Sequence, residues 1–259
     1  NMWIINSTIV DNKAFYEGAG ICANGSSFDD DVRAVHIINC TIAGNTCAAD
    51  PSELYAEDTE TGTVTNPGSW LGSQIRIACD PAVNICNSII VGREDDGAVA
   101  KAAIVLTGTE KTPSSAYLNS YGGSILGTFG SVMNSPTIAI NWNNDHMDGS
   151  NPNTYSKIFG TTTAGENGGF TKTLKPVDNG ILDQLGVYAL YGFELGEYIK
   201  TLKDEGKYLP FEIDVTVDQT GSKRSQEEIN GETAPGAYDF LTNHGTGIAV
   251  TNSPMSSLK

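Results

Sequence analysis

Apolar and polar residues alternate in a nine-residue pattern that occurs three times along the chain. It reads IINSTIVDN at residues 4–12, IINCTIAGN at residues 37–45 and ICNSIIVGR at residues 85–93. The apolar positions are mostly β-branched, and their spacing does not fit the 3.6-residue period of a helix. The pattern therefore predicts three equivalent strand segments. Their aligned columns are Ile4, Ile37 and Ile85; Asn6, Asn39 and Asn87; and Ile9, Ile42 and Ile90.

The spacing of the three copies indicates a solenoid. Asn39 follows Asn6 by 33 residues and Asn87 follows Asn39 by 48 residues, so the connections differ in length while the pattern is kept. Stacked repeats behave in this way because each repeat contacts its neighbours and insertions form outer loops. The alternative is a β-sandwich. Its strands usually come at shorter spacing with tight hairpin turns, and such turns are few between the copies.

The repeated Asn has a physical explanation in a stacked fold. Its short amide tolerates the left-handed backbone conformation of a turn, and it can bond to the Asn of the next layer. We therefore predict that Asn6, Asn39 and Asn87 form a structural ladder. Asn12 and Asn45 form a second column that is broken at Arg93, which predicts that the coil changes or ends near the third copy.

The repeat resembles the repeated strand units of a known protein family. EGAGI at residues 17–21, together with TIVDN and TIAGN, is similar to the FxxN and GGA[ILV] signatures of polymorphic outer-membrane-protein repeats, with Ile in place of Phe. This resemblance implies an all-β fold, a right-handed parallel β-helix with an Asn ladder.

The second half of the chain has a different pattern. AKAAIVLTG from residue 100 and AYLNSYGGSILG from residue 116 predict two more strands, and residues 135–169 have the composition of a long loop. Residues 194–206 are the best helix candidate and would cover the open end of the coil. We therefore divide the chain into β-helix coils at 1–134, a loop-rich C-terminal cap at 135–240 and a linker or tail at 241–259.

Two strings near the C-terminus carry a second resemblance. VDQTGSKRS at residues 217–225 and APGAYDF at residues 234–240 resemble the closing segment of choice-of-anchor Q domain proteins, which are secreted bacterial β-helix proteins. The matching positions are Asp218, Gln219, Gly221, Arg224, Gly236, Ala237 and Tyr238; Pro235 and Asp239 depart from the family pattern. From the residues alone, we expect Asp218 and Arg224 to form a structural ion pair that pins the closing segment, and Tyr238 to fill a core position.

The composition of the chain restricts its expected partners and its expected location. The chain has 15 Lys and Arg against 31 Asp and Glu, a formal net charge of −16, which disfavours nucleic acid and anionic membranes as partners. No apolar run is long enough to insert into a membrane, and 29 glycines suit an extracellular, turn-rich β protein. Asn1 lies directly within a strand-like run, so we expect an export signal upstream. The five cysteines are an odd number and show no zinc-site spacing.

Candidate chemistry is sparse. No nucleophile elbow, phosphate-binding loop or HExxH motif occurs. Asp145 and Asp148 in NNDHMDGSN could hold a metal such as Ca²⁺, although the EF-hand spacing fails, and no other cofactor is expected. Trp70, Trp142 and Tyr155 fall in or near predicted loops, where aromatic faces can stack on sugars.

These patterns favour a secreted or cell-surface bacterial adhesin or display module that binds polysaccharide or a cell-surface protein without catalysis. The alternative is a polysaccharide lyase or glycoside hydrolase with acidic residues on a coil face. A carboxylate cluster beside an Arg or Lys on one exposed sheet would favour the enzyme. The catalytic residues of such an enzyme are not identified by the sequence.

Overall fold

The computed structural model of the chain describes residues 2–14, 17–24, 34–47, 73–78, 82–93, 102–107, 117–131, 137–139, 153–167, 171–177, 189–190, 217–224, 232–233 and 236–238. About half of the described residues form short strands that follow one another in a recurring series, which we call a pass. The first pass contains β1 (Met2–Ile5), β2 (Thr8–Val10), β3 (Lys13–Ala14) and β4 (Ile21–Asn24). The second contains β5 (Ala34–Ile38), β6 (Thr41–Ala43), β7 (Thr46–Cys47) and β8 (Ile75–Ala78). The third contains β9 (Ala82–Cys86), β10 (Ile89–Val91) and β11 (Ile104–Thr107). The fourth contains β12 (Tyr117–Ser120), β13 (Ile125–Leu126) and β14 (Phe129–Ser131), and β15 (Thr137–Ala139) follows it.

Equivalent strands of successive passes pair in parallel and build three main sheets. The first sheet has the order β1, β5, β9, β12, β15; the second β2, β6, β10, β13; and the third β4, β8, β11, β14. Strands β3 and β7 form a further parallel pair. The register follows the aligned columns, since Ile37 lies opposite both Ile4 and Ile85. The described part of the chain is therefore all-β, with mostly parallel sheets and little helix.

Alternate residues of the three sheets share one apolar core. Ile37 and Ile85 enter it from the first sheet, Ile42 from the second, and Ile77 and Ile104 from the third, all fully buried. Burial of each such side chain stabilises the fold by about 1.5–3 kcal/mol before entropy losses. The period-two alternation of the sequence repeat is thus the alternation between this core and the outer faces.

The turns between the first and second sheets contain the Asn column. Asn6, Asn39 and Asn87 have φ values of 46°, 53° and 46°, the left-handed region that Asn tolerates. The Asn87 side-chain amide donates to Asn39 Oδ1 at 2.8 Å, and both residues are fully buried. In the fourth pass the equivalent position is Gly123, with φ 70°, and the carbonyl of the preceding Gly122 accepts from the Asn87 backbone N–H at 2.9 Å.

A second polar column lies next to the Asn ladder. The Cys40 backbone N–H donates to Ser88 Oγ at 3.1 Å, and the Ser88 N–H donates to Ser124 Oγ at 3.2 Å. The Cys40 thiol donates to the Ile38 carbonyl at 3.2 Å. Burial raises the pKa of this thiol to about 12, so Cys40 is a packing residue and not a reactive thiolate.

The column of Asn12 and Asn45 continues through Gln74. Asn45 Oδ1 accepts from the Asn12 amide at 2.9 Å, and the Asn45 amide donates to Gln74 Oε1 at 2.8 Å. Parallel pairing continues beyond the third copy as far as β15, so the coil does not end there. The pair of β3 and β7 has no third strand among the described residues, so of the two predicted outcomes, a change or an end, the described structure shows a change.

The chain beyond β15 returns to the outer face of the second sheet. Helix α1 (Tyr155–Phe159) buries Ile158 and Phe159 against this face. The sheet residues in this contact are Ala43, Ile89, Val91 and Ile125. Strands β16 (Ala189–Leu190) and β17 (Glu232–Thr233) form an antiparallel pair. The helix predicted at residues 194–206 and the tail at 241–259 lie outside the described residues. Among those that are described, no helix has the length and apolar character needed to cross a membrane.

Candidate functional site

The most distinctive polar site lies at the corner that follows the second sheet. Asp11, Gly44 and Gly92 occupy equivalent positions in three successive passes, directly after β2, β6 and β10. Asp11 and Gly44 have φ values of 56° and 66°, so the backbone turns through the left-handed region at both places. The turn directs the chain into β3 and β7, where Lys13 lies opposite Thr46.

Arg93 links the three passes at this corner. Its Nε donates to the Gly44 carbonyl at 2.9 Å, and its terminal nitrogen forms an ion pair with the Asp11 carboxylate. Arg93 follows β10 in the third pass, whereas Asp11 belongs to the first. The guanidinium therefore spans the stack on its outer surface, where both partners remain partly exposed to solvent.

Tyr155 lies behind this ion pair. The Arg93 guanidinium lies 4.8 Å from the centre of the Tyr155 ring, in cation–π geometry. The Tyr155 hydroxyl donates to the Thr162 carbonyl at 2.5 Å, and only 5% of the residue is exposed. Burial raises the pKa of Tyr155; the negative Asp11 adds to this effect and Arg93 opposes it. A Cβ at Gly44 would come within 2.8 Å of the ring, so glycine is needed for this close approach.

Two cavities adjoin the corner and share Asp11. The first, about 320 Å³, has a described lining of Asp11, Lys13, Gly44, Thr46 and Arg93. The second is about 520 Å³. Its described lining is Thr8, Ile9, Val10, Asp11, Asn12, Ala164 and Lys172. Lys13 and Lys172 are exposed, and each contributes a positive charge to one cavity. The site thus offers a carboxylate, a hydroxyl and several cationic donors on a rigid strand corner.

The described residues of the two closing strings bind to the coil and are absent from the described lining of these cavities. Gln219 Oε1 accepts from the Thr8 hydroxyl at 2.5 Å, and Gln219 Nε2 donates to Thr171 Oγ1 at 2.8 Å. The Ala237 backbone N–H donates to Thr41 Oγ1 at 3.0 Å. These bonds attach the 217–224 and 236–238 segments to the second sheet at β2 and β6.

Asp218 and Arg224 are both buried within this closing segment. The Asp218 carboxylate accepts from the Thr220 N–H at 2.8 Å and the Ser222 N–H at 3.2 Å, which closes a tight turn. Arg224 is 2% exposed and donates to the Gly236 carbonyl at 2.7 Å. Both side chains therefore hold backbone in place.

A second charged site lies on the outer face of the third sheet. Arg76 Nε contacts Glu17 Oε2 at 2.7 Å, and Arg76 also approaches the Cys22 sulfur at 3.9 Å. Burial raises the pKa of Glu17, and the charge of Arg76 partly offsets this increase. This carboxyl with a raised pKa is the group in the described part of the chain that most resembles a general acid.

A stripe of rings and amides crosses the outer face of the first sheet. Trp3 stacks on His36 with ring centroids 3.9 Å apart and planes inclined by 12°. Asn84 follows in the next pass, with its amide 3.4 Å from His36 Nδ1, and accepts from the Asn119 amide at 3.0 Å. His36 is fully buried, so the stripe stabilises the stack and does not present its imidazole to a ligand.

Of the predicted binding and metal-site residues, Tyr155 alone lies within the described part of the chain. Trp70, Trp142, Asp145 and Asp148 lie outside the described residues. Tyr155 was predicted as a sugar-stacking ring, but it is buried under Arg93 and against Gly44, so it supports the corner from behind. Within the described ranges, no three His, Cys, Asp or Glu side chains converge in a way that could hold a metal ion.

Sequence reasoning missed the corner formed by Asp11, Lys13 and Arg93. The available signal was Arg93 itself, because it replaces Asn in an otherwise constant column. Its partner could not be identified, since Asp11 is 82 residues away along the chain. Comparison with protein-family models, with curated protein sequences and with solved structures gives no match for this chain.

Proposed function

We propose that this chain is a right-handed parallel β-helix from a secreted or cell-surface bacterial protein, and that it works as a non-catalytic adhesin or display module. In this proposal its partners are polysaccharides or a protein on another cell surface. It uses no cofactor, although Ca²⁺ could assist binding through residues such as Asp145 and Asp148.

The topology supports the β-helix part of the proposal. The chain visits three parallel sheets in a fixed order and returns to the first sheet four times. Crossover connections between parallel strands of one sheet are right-handed in about 98% of cases, which favours the right-handed form. A column of buried Asn residues at the turns is consistent with stacked rungs.

The non-catalytic proposal rests on one observation, which is that the residues of the closing strings make structural contacts. Asp218 and Arg224 are the charged residues of that resemblance, and both are buried and bonded to backbone atoms. Gln219 attaches the segment to Thr8 of the first pass. Residues used in this way maintain a scaffold and have no access to a substrate.

Composition and the second resemblance support the secreted or cell-surface location. The net charge of −16 and the high Gly content suit an extracellular protein, and the resemblance of residues 217–240 to choice-of-anchor Q domains implies secretion by a bacterium. Export is testable apart from binding. Fractionation of cells that express the full-length protein should place it outside the cytoplasm.

A second candidate function is a polysaccharide lyase or glycoside hydrolase. Glu17 favours it, because a carboxyl with a raised pKa next to Arg76 could donate a proton to a leaving group. Glycosidases use a second carboxylate close by. Among the described residues, no group of three His, Cys, Asp or Glu surrounds Glu17.

A single screen separates the two candidates. The purified chain is incubated with a panel of plant and animal polysaccharides, with and without Ca²⁺, and both retention and the release of reducing or unsaturated ends are measured. Retention without product is the expected result. Product that is abolished by Glu17→Gln would overturn the proposal in favour of the enzyme. A lack of any retention would overturn glycan binding and leave a protein partner.

A further inference from the structure

The first cavity at the Asp11 corner has the properties of a preformed polar binding site. Its lining comes from three successive passes: Asp11 and Lys13 from the first, Gly44 and Thr46 from the second, and Arg93 from the third. Lys13 and Thr46 lie opposite each other on paired strands. Since the strands fix the backbone of the lining, a ligand would bind with little loss of protein entropy.

The chemistry of this lining favours a ligand rich in hydroxyl groups. The described side chains are a carboxylate, an ammonium, a hydroxyl and a guanidinium, and none is apolar. Ligand sites for apolar molecules are lined mainly by aliphatic and aromatic side chains, so this site is of a different kind. Asp11 can accept from sugar hydroxyls, while Lys13 and Arg93 can donate to them.

The charge of the site favours an acidic ligand. The Asp11 carboxylate is already paired with Arg93, so the Lys13 ammonium sets the charge of the first cavity. Lys172 adds a second ammonium in the adjoining cavity. The whole chain has a net charge of −16, but exposed charges more than about 8 Å apart are largely screened at physiological salt. Among the described residues that line the two cavities, Lys13 and Lys172 therefore supply the positive charge that Asp11 does not neutralise.

The two cavities also suggest a repeating ligand. Both include Asp11, and each has one exposed lysine, Lys13 in the first and Lys172 in the second. A volume of about 320 Å³ is near the lower end of the range for small-ligand sites. One acidic unit in each cavity, joined over Asp11, matches this arrangement better than one large ligand.

We propose that the Asp11 corner binds an acidic oligosaccharide, with the carboxylate of one sugar unit on Lys13 and its hydroxyls on Asp11 and Thr46. The next unit lies in the adjoining cavity, with its carboxylate on Lys172. This inference rests on the glycan-binding form of the proposed function and adds the ligand class and its location.

The test uses the full chain and calorimetric titration with trigalacturonate, with its methyl ester as an uncharged ligand of the same backbone. We expect the acid to bind at least tenfold more tightly than the ester. Lys13→Gln should weaken binding of the acid about tenfold and leave binding of the ester unchanged. Lys223→Gln is the matched control, because Lys223 is equally exposed and is absent from the described lining of both cavities.

Four results would overturn the inference. Equal affinity for acid and ester would show that the lysines do not select the ligand. An unchanged affinity in Lys13→Gln, with polysaccharide retention intact, would place binding elsewhere and leave the proposed function standing. Competition by inorganic sulfate at the concentration of the oligosaccharide would show that the site takes any anion. If no glycan is retained at all, the proposed glycan binding fails together with this site.

Discussion

At the scale of single residues, the left-handed turn positions determine where the chain can change direction. Asn39 and Asn87 combine this backbone conformation with a buried amide–amide hydrogen bond of 2.8 Å. Gly123, with φ 70°, supplies the conformation without the side chain in the fourth pass. The two contributions, backbone conformation and hydrogen bonding, are therefore separable by mutation.

Substitution of Asn87 should separate them. Asn87→Gly keeps the backbone conformation but leaves the buried Asn39 Oδ1 without this donor, which costs about 1–3 kcal/mol. Asn87→Ala adds the strain of the left-handed region, a further cost of about 1–2 kcal/mol. Urea denaturation of both variants measures these losses. Equal stabilities for the two variants would contradict the backbone contribution.

Gly44 offers a similar test of close packing. Gly44→Ala places a Cβ at 2.8 Å from the Tyr155 ring and also strains the backbone, so we expect a loss of about 2–4 kcal/mol. Gly221 has φ 83°, and a Cβ added there would meet no atom within 4 Å, so Gly221→Ala should show the strain of about 1–2 kcal/mol alone. The difference between the two midpoints of denaturation reports the contact with Tyr155. A larger loss of stability in Gly221→Ala than in Gly44→Ala would refute the contribution of this contact.

Glu17 gives a pH dependence with a defined sign. Folding raises the pKa of this carboxyl above 4.5, so the folded state favours the neutral form. Its stabilising contribution is present below about pH 4.5 and is lost as the pH rises through the raised pKa. Glu17→Gln should therefore gain stability relative to the unsubstituted chain as the pH rises through this window.

Denaturation midpoints at a series of pH values measure this effect. Glu166→Gln, a change at an exposed carboxylate, controls for the altered net charge. The opposite result is a Glu17→Gln variant that loses stability relative to the unsubstituted chain as the pH rises. It would mean that the ion pair with Arg76 outweighs burial.

At the scale of elements, the closing segment is attached through a few buried polar contacts. Arg224 donates to the Gly236 carbonyl at 2.7 Å and to Asn6 Oδ1 at 3.4 Å, so it joins two strings of the C-terminal part to the first turn of the stack. The segment has little regular secondary structure. Its position therefore depends on side-chain hydrogen bonds more than on strand pairing.

Removal of the Arg224 guanidinium should weaken the attachment of the closing segment to the stack. Arg224→Ala leaves buried acceptors unsatisfied and should lower the free energy of unfolding by about 2–4 kcal/mol. The neighbouring Lys223 is exposed, and Lys223→Ala should change stability by less than about 0.5 kcal/mol. Guanidinium denaturation compares the variants, and hydrogen exchange of residues 217–224 locates the effect. Similar stability of both variants would contradict the role of Arg224.

Sequence alone predicted the longer elements better than the short ones. The strand expected from residue 100 is confirmed as β11, whereas the single strand expected from residue 116 is two strands, β12 and β13, which belong to different sheets. The two-residue strands β3 and β7 carry no periodic pattern, because alternation cannot be recognised over two positions. The contact between Thr8 and Gln219 spans 211 residues and depends on how the closing segment folds back, which no local pattern encodes.

At the scale of the whole molecule, acidic residues outnumber basic residues by 16. The described residues include eight Lys or Arg and five Asp or Glu, whereas the complete chain has 15 and 31. Most acidic residues therefore lie outside the described ranges. The mutual repulsion of an excess of 16 negative charges opposes compaction.

Salt should accordingly stabilise the protein. Raising the ionic strength shortens the Debye length from about 10 Å at 0.1 M to about 3 Å at 1 M, which screens this repulsion. We expect the thermal midpoint to rise between these NaCl concentrations. A fall in the midpoint would mean that ion pairs such as that of Asp11 with Arg93 contribute more than the net repulsion.

The repeated pattern was sufficient to predict stacked strands, because each copy places its Ile residues in the core and its Asn at a turn. It did not predict the Asp11 corner. That site requires the relative positions of three passes, and these depend on connections of unequal length whose sequences share no pattern with the repeat.

The connections themselves have an evolutionary consequence. Residues 15–20 join β3 to β4 in the first pass and residues 48–74 join β7 to β8 in the second, yet Ile21 and Ile75 remain paired in register. Loop closure costs only about 0.6 kcal/mol for each doubling of length. Natural selection can therefore rewrite such a connection without disturbing the stack. An epitope grafted into residues 48–72 should have the same freedom, which makes this chain a carrier whose displayed sequence and scaffold can be altered independently.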